Sequence, residues 1–184
     1  AGSGAEVEES TRFDEGPIHP EWKAELEKRG IEVIEMANAN GKVEALHIRV
    51  SAPSILATLL KLPLPRGVDG QAVASFSDHP YDIPNTLVDY AQRNTNVPVG
   101  FWRTVGHSQN PFGRECFIDE LAIAAGKDPV AFRLDMLPNT EKSKRDRSIL
   151  EAVTKAAAWG SQLPNGVFRG VAETEGYGSW TACV

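Results

Sequence analysis

The chain has 184 residues, 41% of them hydrophobic, which is enough for one domain with a buried core. The formal net charge of -6 and the lack of a Lys/Arg stripe argue against a nucleic-acid partner. Two cysteines, Cys116 and Cys183, are too few for a disulfide framework or a zinc site. No apolar run approaches the roughly 18 residues of a membrane span. The densest basic stretch, residues 142–147, is interpreted as a solvated loop.

The N-terminal part is predicted to contain a leader, a helix and a hairpin. Residues 1–17 are acidic and polar, without the apolar segment of a signal peptide, and are expected to be a flexible leader. Residues 18–184 are expected to form one partial domain. It begins with a short helix over residues 21–29. A hairpin over residues 31–50 follows, and an Asn-Gly pair, which tolerates positive φ, forms its turn.

The middle and the end of the chain give weaker signals. Prolines and glycines make residues 51–80 a linker, in which a short helix over 54–60 is predicted. A strand is predicted over residues 86–92, and two extended segments over 166–184. The last segment is apolar and stops without a following turn. This ending predicts that the sequence is a piece of a longer protein.

Three longer helices are predicted between the strands. The first covers residues 111–125, with Asn110 as its N-cap and Pro111 in its first turn. The second covers residues 129–136 and opens with an Asp-Pro pair. The third covers residues 146–159 and stops at a glycine. Helices and strands together predict an α+β fold.

The first of these helices carries a cysteine and several acids. Cys116 lies on its apolar side, so a buried thiol is predicted. Glu120 lies on the same side and is assigned a structural role, pairing with a basic group in the core. Glu115 and Asp119 have i,i+4 spacing and are interpreted as part of a solvated face. No set of His, Cys or carboxylates has metal-ligand spacing, so no metal site is predicted. No residue of the chain is assigned a catalytic role.

The most unusual segment is the loop before the first long helix. It brings together a guanidinium, an imidazole, hydroxyls and amides. A helix start presents unpaired N–H groups and the positive end of its dipole, which suit phosphate or another anion. The alternative is that these side chains only cap the helix and satisfy nearby backbone groups. The candidate ligand-binding residues are Trp102, Arg103, Thr104, Gly106, His107, Ser108 and Gln109.

Several sequence blocks resemble one enzyme family. The blocks include 81–85, 97–110, 117–121, 125–129 and 159–170. They resemble the molybdopterin-binding (beta) subunits of isoquinoline 1-oxidoreductase and related aldehyde dehydrogenases, within the xanthine dehydrogenase/aldehyde oxidase superfamily. The resemblance covers about residues 40–184, because that is where the blocks lie. It implies that the chain folds as part of the large molybdenum-binding domain of that family, with residues 81–160 as its cofactor-loop and helical part.

The resemblance also implies a cofactor, partners and a reaction. Members of the family hold molybdopterin, commonly as the cytosine dinucleotide, and pass electrons to iron–sulfur clusters on a small partner subunit. They oxidise aldehydes or N-heteroaromatics such as isoquinoline with oxygen from water. Arg103, Gly106 and Gln109 match the family's cofactor loop, whereas Thr104 and Val105 replace a glycine and an aromatic. That departure argues against a xanthine-type substrate.

The same resemblance implies that the isolated chain is incomplete. The family's catalytic glutamate lies in a glycine-rich motif that has no match here, and the iron–sulfur ligands are also missing. The first hypothesis is therefore an inactive fragment of a molybdenum hydroxylase, whose partners are the rest of the subunit and the iron–sulfur subunit. The alternative is a non-catalytic binding or structural module that keeps the fold. The compartment, bacterial cytoplasm or periplasm, stays open.

Overall fold

The computed structural model describes residues 41–184. The predicted leader over 1–17, the helix over 21–29 and the first strand of the hairpin lie outside these residues. None of the helices in residues 41–184 combines the length and the apolar composition of a membrane span. The elements, in chain order, are β1 (Ala45–Ala52), α1 (Ile55–Thr58), a 3-10 turn (Pro65–Gly67), β2 (Asn85–Gln92), α2 (Gly106–Ala124), α3 (Pro129–Met136), α4 (Lys144–Ala156), β3 (Ala172–Gly176) and β4 (Ser179–Cys183).

The first two strands form a parallel pair. Ala45 lies opposite Asn85, and the register continues to Ala52 opposite Gln92. Parallel strands need a long crossover, and residues 53–84 supply it. This connection contains the predicted short helix, α1, whose N-cap Ser54 accepts a hydrogen bond from the Ala57 backbone N–H. The strand predicted over residues 86–92 is confirmed as β2.

The predicted second and third helices are confirmed, with small shifts at the ends. The carboxylate of Asp128 accepts hydrogen bonds from the backbone N–H groups of Val130 and Ala131, so it caps α3 as its Asp-Pro opening indicates. The basic stretch 142–147 is not simply a solvated loop, because α4 begins at Lys144. In this stretch, the Arg147 guanidinium donates to the backbone carbonyls of Leu134, in α3, and of Leu137, just after α3.

The predicted start of the first long helix was wrong. Helix α2 begins at Gly106, so Pro111 lies inside the helix and Asn110 is not its N-cap. The Asn110 side chain instead donates to the backbone carbonyls of Ala72 and Ala74. An Asn-Pro pair is typical of a helix start, but here contacts made outside the helix outweigh that local preference.

The side of α2 that was predicted to be buried was also wrong. Cys116 and Glu120 are exposed, so neither the buried thiol nor the core ion pair of Glu120 exists. The buried positions include two charged residues, Arg114 and Glu115, beside Ile118. A hydrophobicity pattern assigns charged residues to solvent, so it selected the neighbouring face of the helix.

The core lies where α2, α3 and α4 meet β1 and the C-terminal hairpin. The two extended segments predicted over residues 166–184 contain strands β3 and β4, which pair antiparallel and pack against α2 and α4. Both residues of their turn, Tyr177 and Gly178, have positive φ, which matches the right-handed twist of a hairpin. The buried apolar cluster consists of Val43, Leu46, Tyr81, Ile83, Ile118, Leu121, Ala122, Val130, Phe132, Met136, Leu137, Leu150 and Val171.

Candidate functional site

Helix α2 starts on a supporting segment, residues 69–77, which we call the docking turn. A Cβ on Gly106 would lie 2.4 Å from the Gln71 carbonyl oxygen, so only glycine permits this approach. One turn further along α2, Asn110 donates to two carbonyls of the docking turn at 2.9 and 2.8 Å. One face of the first turns of α2 is therefore fixed against the docking turn.

The docking turn is anchored to α1, the short helix in the connection between β1 and β2. Asp69 is buried, and its carboxylate accepts hydrogen bonds from the Ser54 hydroxyl at 2.6 Å and from the Leu56 backbone N–H at 3.2 Å. It also accepts one from the Gln71 backbone N–H at 2.8 Å. A carboxylate bound by several donors is both stabilised and oriented. The start of α2 thus rests on a base that reaches back to α1.

The loop that leads into α2, residues 102–105, projects from this base; we call it the Arg103 loop. Trp102 is 83% exposed, and Arg103 and Thr104 are also exposed. Thr104 and Val105 have φ of 65° and 49°, a region that β-branched residues avoid. Such strain costs on the order of 1–3 kcal/mol per residue and is common at ligand clamps and active sites. A strained, exposed loop at a helix start is a reason to suspect a binding role.

The seven candidate residues divide into two groups. Trp102, Arg103, Thr104, Ser108 and Gln109 are exposed. The Thr104 and Ser108 hydroxyls donate to the backbone carbonyls of Arg103 and Val105, as the alternative of satisfied backbone groups expects, so this group offers an indole, a guanidinium and an amide as donors. The other two face the protein, since Gly106 is buried and the His107 ring is half-buried. The first turn of α2 carries no acidic side chain, so nothing there opposes an anion. The donor set fits an anionic, hydrogen-bonding ligand such as a phosphate-bearing cofactor.

A buried ionic network, not predicted from the sequence, lies further along α2. Glu115 accepts hydrogen bonds from Arg114 Nε at 2.7 Å, from Arg133 Nε at 2.9 Å and from the Tyr81 hydroxyl at 2.9 Å. Arg133 also forms an ion pair with Asp119. Burial, and after it the Glu115 carboxylate, raise the pKa of Tyr81 well above its usual range, so the phenol remains a donor.

This network overturns the interpretation of Glu115 and Asp119 as a solvated face. Arg133 is the largest fully buried side chain among residues 41–184, and it ties α3 to α2. Arg114 donates to the carbonyl oxygens of Ser75 and Glu173, which joins the docking turn and β3 to the same centre. Glu115 and the two arginines satisfy one another in the interior, which is the character of a structural tie. The available local signal was Arg114 beside Glu115, since Arg133 lies 18 residues from Glu115 in the sequence.

Glu173 is the unsatisfied member of this centre. Both of its carboxylate oxygens are buried and have no partner in full hydrogen-bond geometry among residues 41–184, although Tyr81 and Asp146 are close enough to affect its pKa. Arg114 Nη2 lies 3.5 Å from one of them, but that guanidinium already donates to Glu115 and to two carbonyls. Burial, and after it the Glu115 charge, raise the pKa of Glu173 to about 8, against a smaller opposing effect of Arg114. We therefore regard this carboxyl group as neutral at pH 7.

Two cavities lie away from the Arg103 loop. An apolar groove between β1 and α2 is lined by Leu46, Ile48, Phe76 and Phe117, among others. A smaller polar cavity is lined by residues that include Asp78, Lys142, Asp146 and Trp180. No group of three or more His, Cys, Asp or Glu side chains in residues 41–184 could hold a metal ion. Neither cavity is lined by residues of the Arg103 loop, which lies on the open surface.

Comparison with known proteins identifies the family of the chain. Residues 33–137 match the model of the molybdopterin cofactor-binding domain, a span that includes the docking turn, the Arg103 loop and the network centre on α2. The chain belongs to this family. The resemblance to molybdopterin-binding subunits that was predicted from the sequence is confirmed.

Three relatives agree with this assignment. The chain is 32% identical to the B subunit of nicotinate dehydrogenase from Pseudomonas putida over 81% of its own length, which is 12% of that protein. It is 26% identical to the membrane-bound aldehyde dehydrogenase [pyrroloquinoline-quinone] of Gluconacetobacter polyoxogenes, over 80% of the chain and 22% of that protein. It is 33% identical to the beta subunit of isoquinoline 1-oxidoreductase from Brevundimonas diminuta, over 43% of the chain and 10% of that protein. The chain thus spans a small part of the length of these relatives.

Proposed function

We propose that the chain forms one wall of the cofactor cleft in the molybdenum subunit of an oxidoreductase that oxidises aldehydes or N-heteroaromatic compounds. The cofactor, when bound, supplies the transfer of a water-derived oxygen to an electron-poor carbon and accepts two electrons. The isolated chain is expected to be inactive, because it carries one of several segments that would grip the cofactor, and the remaining contacts must offset the full cost of association.

The observation that carries the proposal is the exposed donor set at the start of α2. The Arg103 guanidinium offers a planar fork of donors, which suits a phosphate or a pterin carbonyl. Ser108 and Gln109 lie on the exposed side of the first helical turn, where the dipole also favours an anion. These groups lie within the span that matches the cofactor-binding family.

The proposal also assigns a reduced role to two of the candidate residues. Gly106 and His107 support the loop from below, and Trp102, Arg103, Thr104, Ser108 and Gln109 contact the cofactor. We further propose the cytosine dinucleotide form of molybdopterin and a small iron–sulfur subunit as electron acceptor. The names of two relatives, nicotinate dehydrogenase and isoquinoline 1-oxidoreductase, favour a substrate of the N-heteroaromatic class.

The test is the Arg103→Ala substitution in the complete subunit that contains this sequence. Molybdenum content and turnover should both fall by about tenfold or more, since a charge-assisted contact to the cofactor is lost. Arg93→Ala is the matched control, because Arg93 is exposed and its guanidinium donates to the carbonyl of the adjacent Gln92. Unchanged molybdenum content and turnover in Arg103→Ala would return the loop to a helix-capping role. Metal analysis of the unmodified subunit also distinguishes the proposed molybdenum cofactor from pyrroloquinoline-quinone, the cofactor in the name of one relative.

A further inference from the structure

We propose that His107 is a positioning residue through which the C-terminal hairpin holds the Arg103 loop in place. The imidazole lies between two partners from distant parts of the chain. Its Nδ1 and the Ser75 hydroxyl are joined by a hydrogen bond of 2.7 Å, and the Tyr177 ring contacts it edge-on with 5.2 Å between ring centroids. The contact itself is independent of the proposed function, but its consequence, the orientation of cofactor-binding groups, rests on that function.

The hairpin reaches His107 because one of its residues has no side chain. A Cβ at Gly176 would lie 3.0 Å from His107 Cγ and 3.2 Å from its Cβ, which is closer than ordinary van der Waals contact. The next residue, Tyr177, has a φ of 54° and is 70% exposed. A tyrosine held in a left-handed turn and largely exposed contributes little to the core. The role that the structure gives the Tyr177 ring is therefore its edge contact with His107.

The second partner of the ring is rigidly held. Ser75 is 2% exposed, and Arg114 donates a hydrogen bond to its carbonyl oxygen. Its backbone N–H donates to the Asp78 carboxylate. The hydroxyl that meets His107 is therefore fixed by the buried network, and the imidazole has a firm contact on one side and the hairpin turn on the other.

Backbone hydrogen bonds connect His107 directly to the Arg103 loop. The His107 backbone N–H donates to the Thr104 carbonyl at 2.9 Å, and the Val105 N–H donates to the Trp102 carbonyl at 3.1 Å. The loop itself is strained at Thr104 and Val105. A strained, exposed loop keeps its conformation only when its surroundings hold it. Fixing the ring of His107 therefore fixes the first turn of α2 and, through these two bonds, the backbone on either side of Arg103.

The experiment compares variants at both ends of this contact by amide hydrogen exchange in the 184-residue chain. Tyr177→Ala should speed exchange of the amides of residues 104–109 by about three- to tenfold, the factor that an aromatic edge contact contributes. Tyr177→Phe keeps the ring and should leave these amides unchanged. Amides of α3 and α4 serve as an internal reference, because general destabilisation would speed their exchange as well.

Variants of His107 separate its two contacts. His107→Phe keeps the ring and loses the bond to Ser75, whereas His107→Asn keeps a polar group near the Nδ1 position and loses the ring. Each should speed exchange at residues 104–109 less than His107→Ala does. Equal exchange at these residues in Tyr177→Ala, His107→Ala and the unmodified chain would overturn the proposal, as would a rise that α3 and α4 share.

A second measurement keeps this proposal distinct from the proposed function. In the complete subunit, Tyr177→Ala should lower molybdenum content in the same direction as Arg103→Ala, while Tyr177→Phe retains it. If exchange responds but neither Arg103→Ala nor Tyr177→Ala changes molybdenum content, the positioning contact stands and the cofactor role of the loop falls. If Arg103→Ala lowers molybdenum content and exchange does not respond, the cofactor role of the loop stands and the positioning contact falls.

Discussion

Replacing Glu173 with glutamine should stabilise the folded chain at neutral pH and leave its stability almost unchanged near pH 4. The pKa of Glu173 is raised from 4.5 to about 8 in the folded chain. Below pH 4.5 the carboxyl group is protonated in both states and contributes no penalty. As the pH rises toward 8, the unfolded chain loses this proton and the folded chain keeps it, so stability falls.

The size of the effect follows from the same shift. One pKa unit corresponds to about 1.4 kcal/mol, so the penalty at pH 7 approaches about 3 kcal/mol and levels off above about pH 8. Glutamine has the same shape and no charge to bury. Since the amide is also without a hydrogen-bond partner, part of the gain is lost, and we expect a net gain of about 1–3 kcal/mol at pH 7.

Urea unfolding of the 184-residue chain between pH 4 and pH 9, followed by circular dichroism, measures this difference directly. Glu120→Gln is the control, because Glu120 is exposed on α2 and its substitution should have no comparable pH-dependent effect. The difference in the free energy of unfolding between Glu173→Gln and the unmodified chain should grow from pH 4 to pH 8. A difference that is constant across this range, or a less stable variant at pH 8, would refute the assignment of a neutral, buried Glu173.

Two further substitutions test the network and a helix cap, each by urea unfolding at pH 7. Glu115→Ala should lower the free energy of unfolding by about 3–5 kcal/mol, because two buried guanidinium groups lose their shared carboxylate; a loss below about 1 kcal/mol would contradict the structural tie. Asp128→Ala should lower it by about 1–2 kcal/mol, because the α3 cap and the 2.7 Å bond from Trp159 Nε1 are both lost. Stability equal to the unmodified chain would exclude that cap as a contributor.

Local sequence patterns determined the elements whose signals are local. The Asp-Pro pair places α3, and the alternation of apolar and polar residues places β1, because capping and strand patterning depend on neighbouring residues. Each family block is also a short local sequence, and together the blocks led to the molybdopterin-binding family that the comparisons confirm. The seven residues around the Arg103 loop were also selected from sequence, and their role remains a prediction.

Tertiary structure alone decided which charged side chains are buried. Arg114, Glu115 and Glu173 lie far apart in sequence or on a face that a hydrophobic pattern assigns to solvent, yet they share one buried centre. The start of α2 was decided in the same way, since Gly106 and Asn110 fit against carbonyl groups more than thirty residues earlier in the chain. A charged group is stable in the interior only when partners from other segments surround it, and a one-dimensional pattern contains no record of which segments meet.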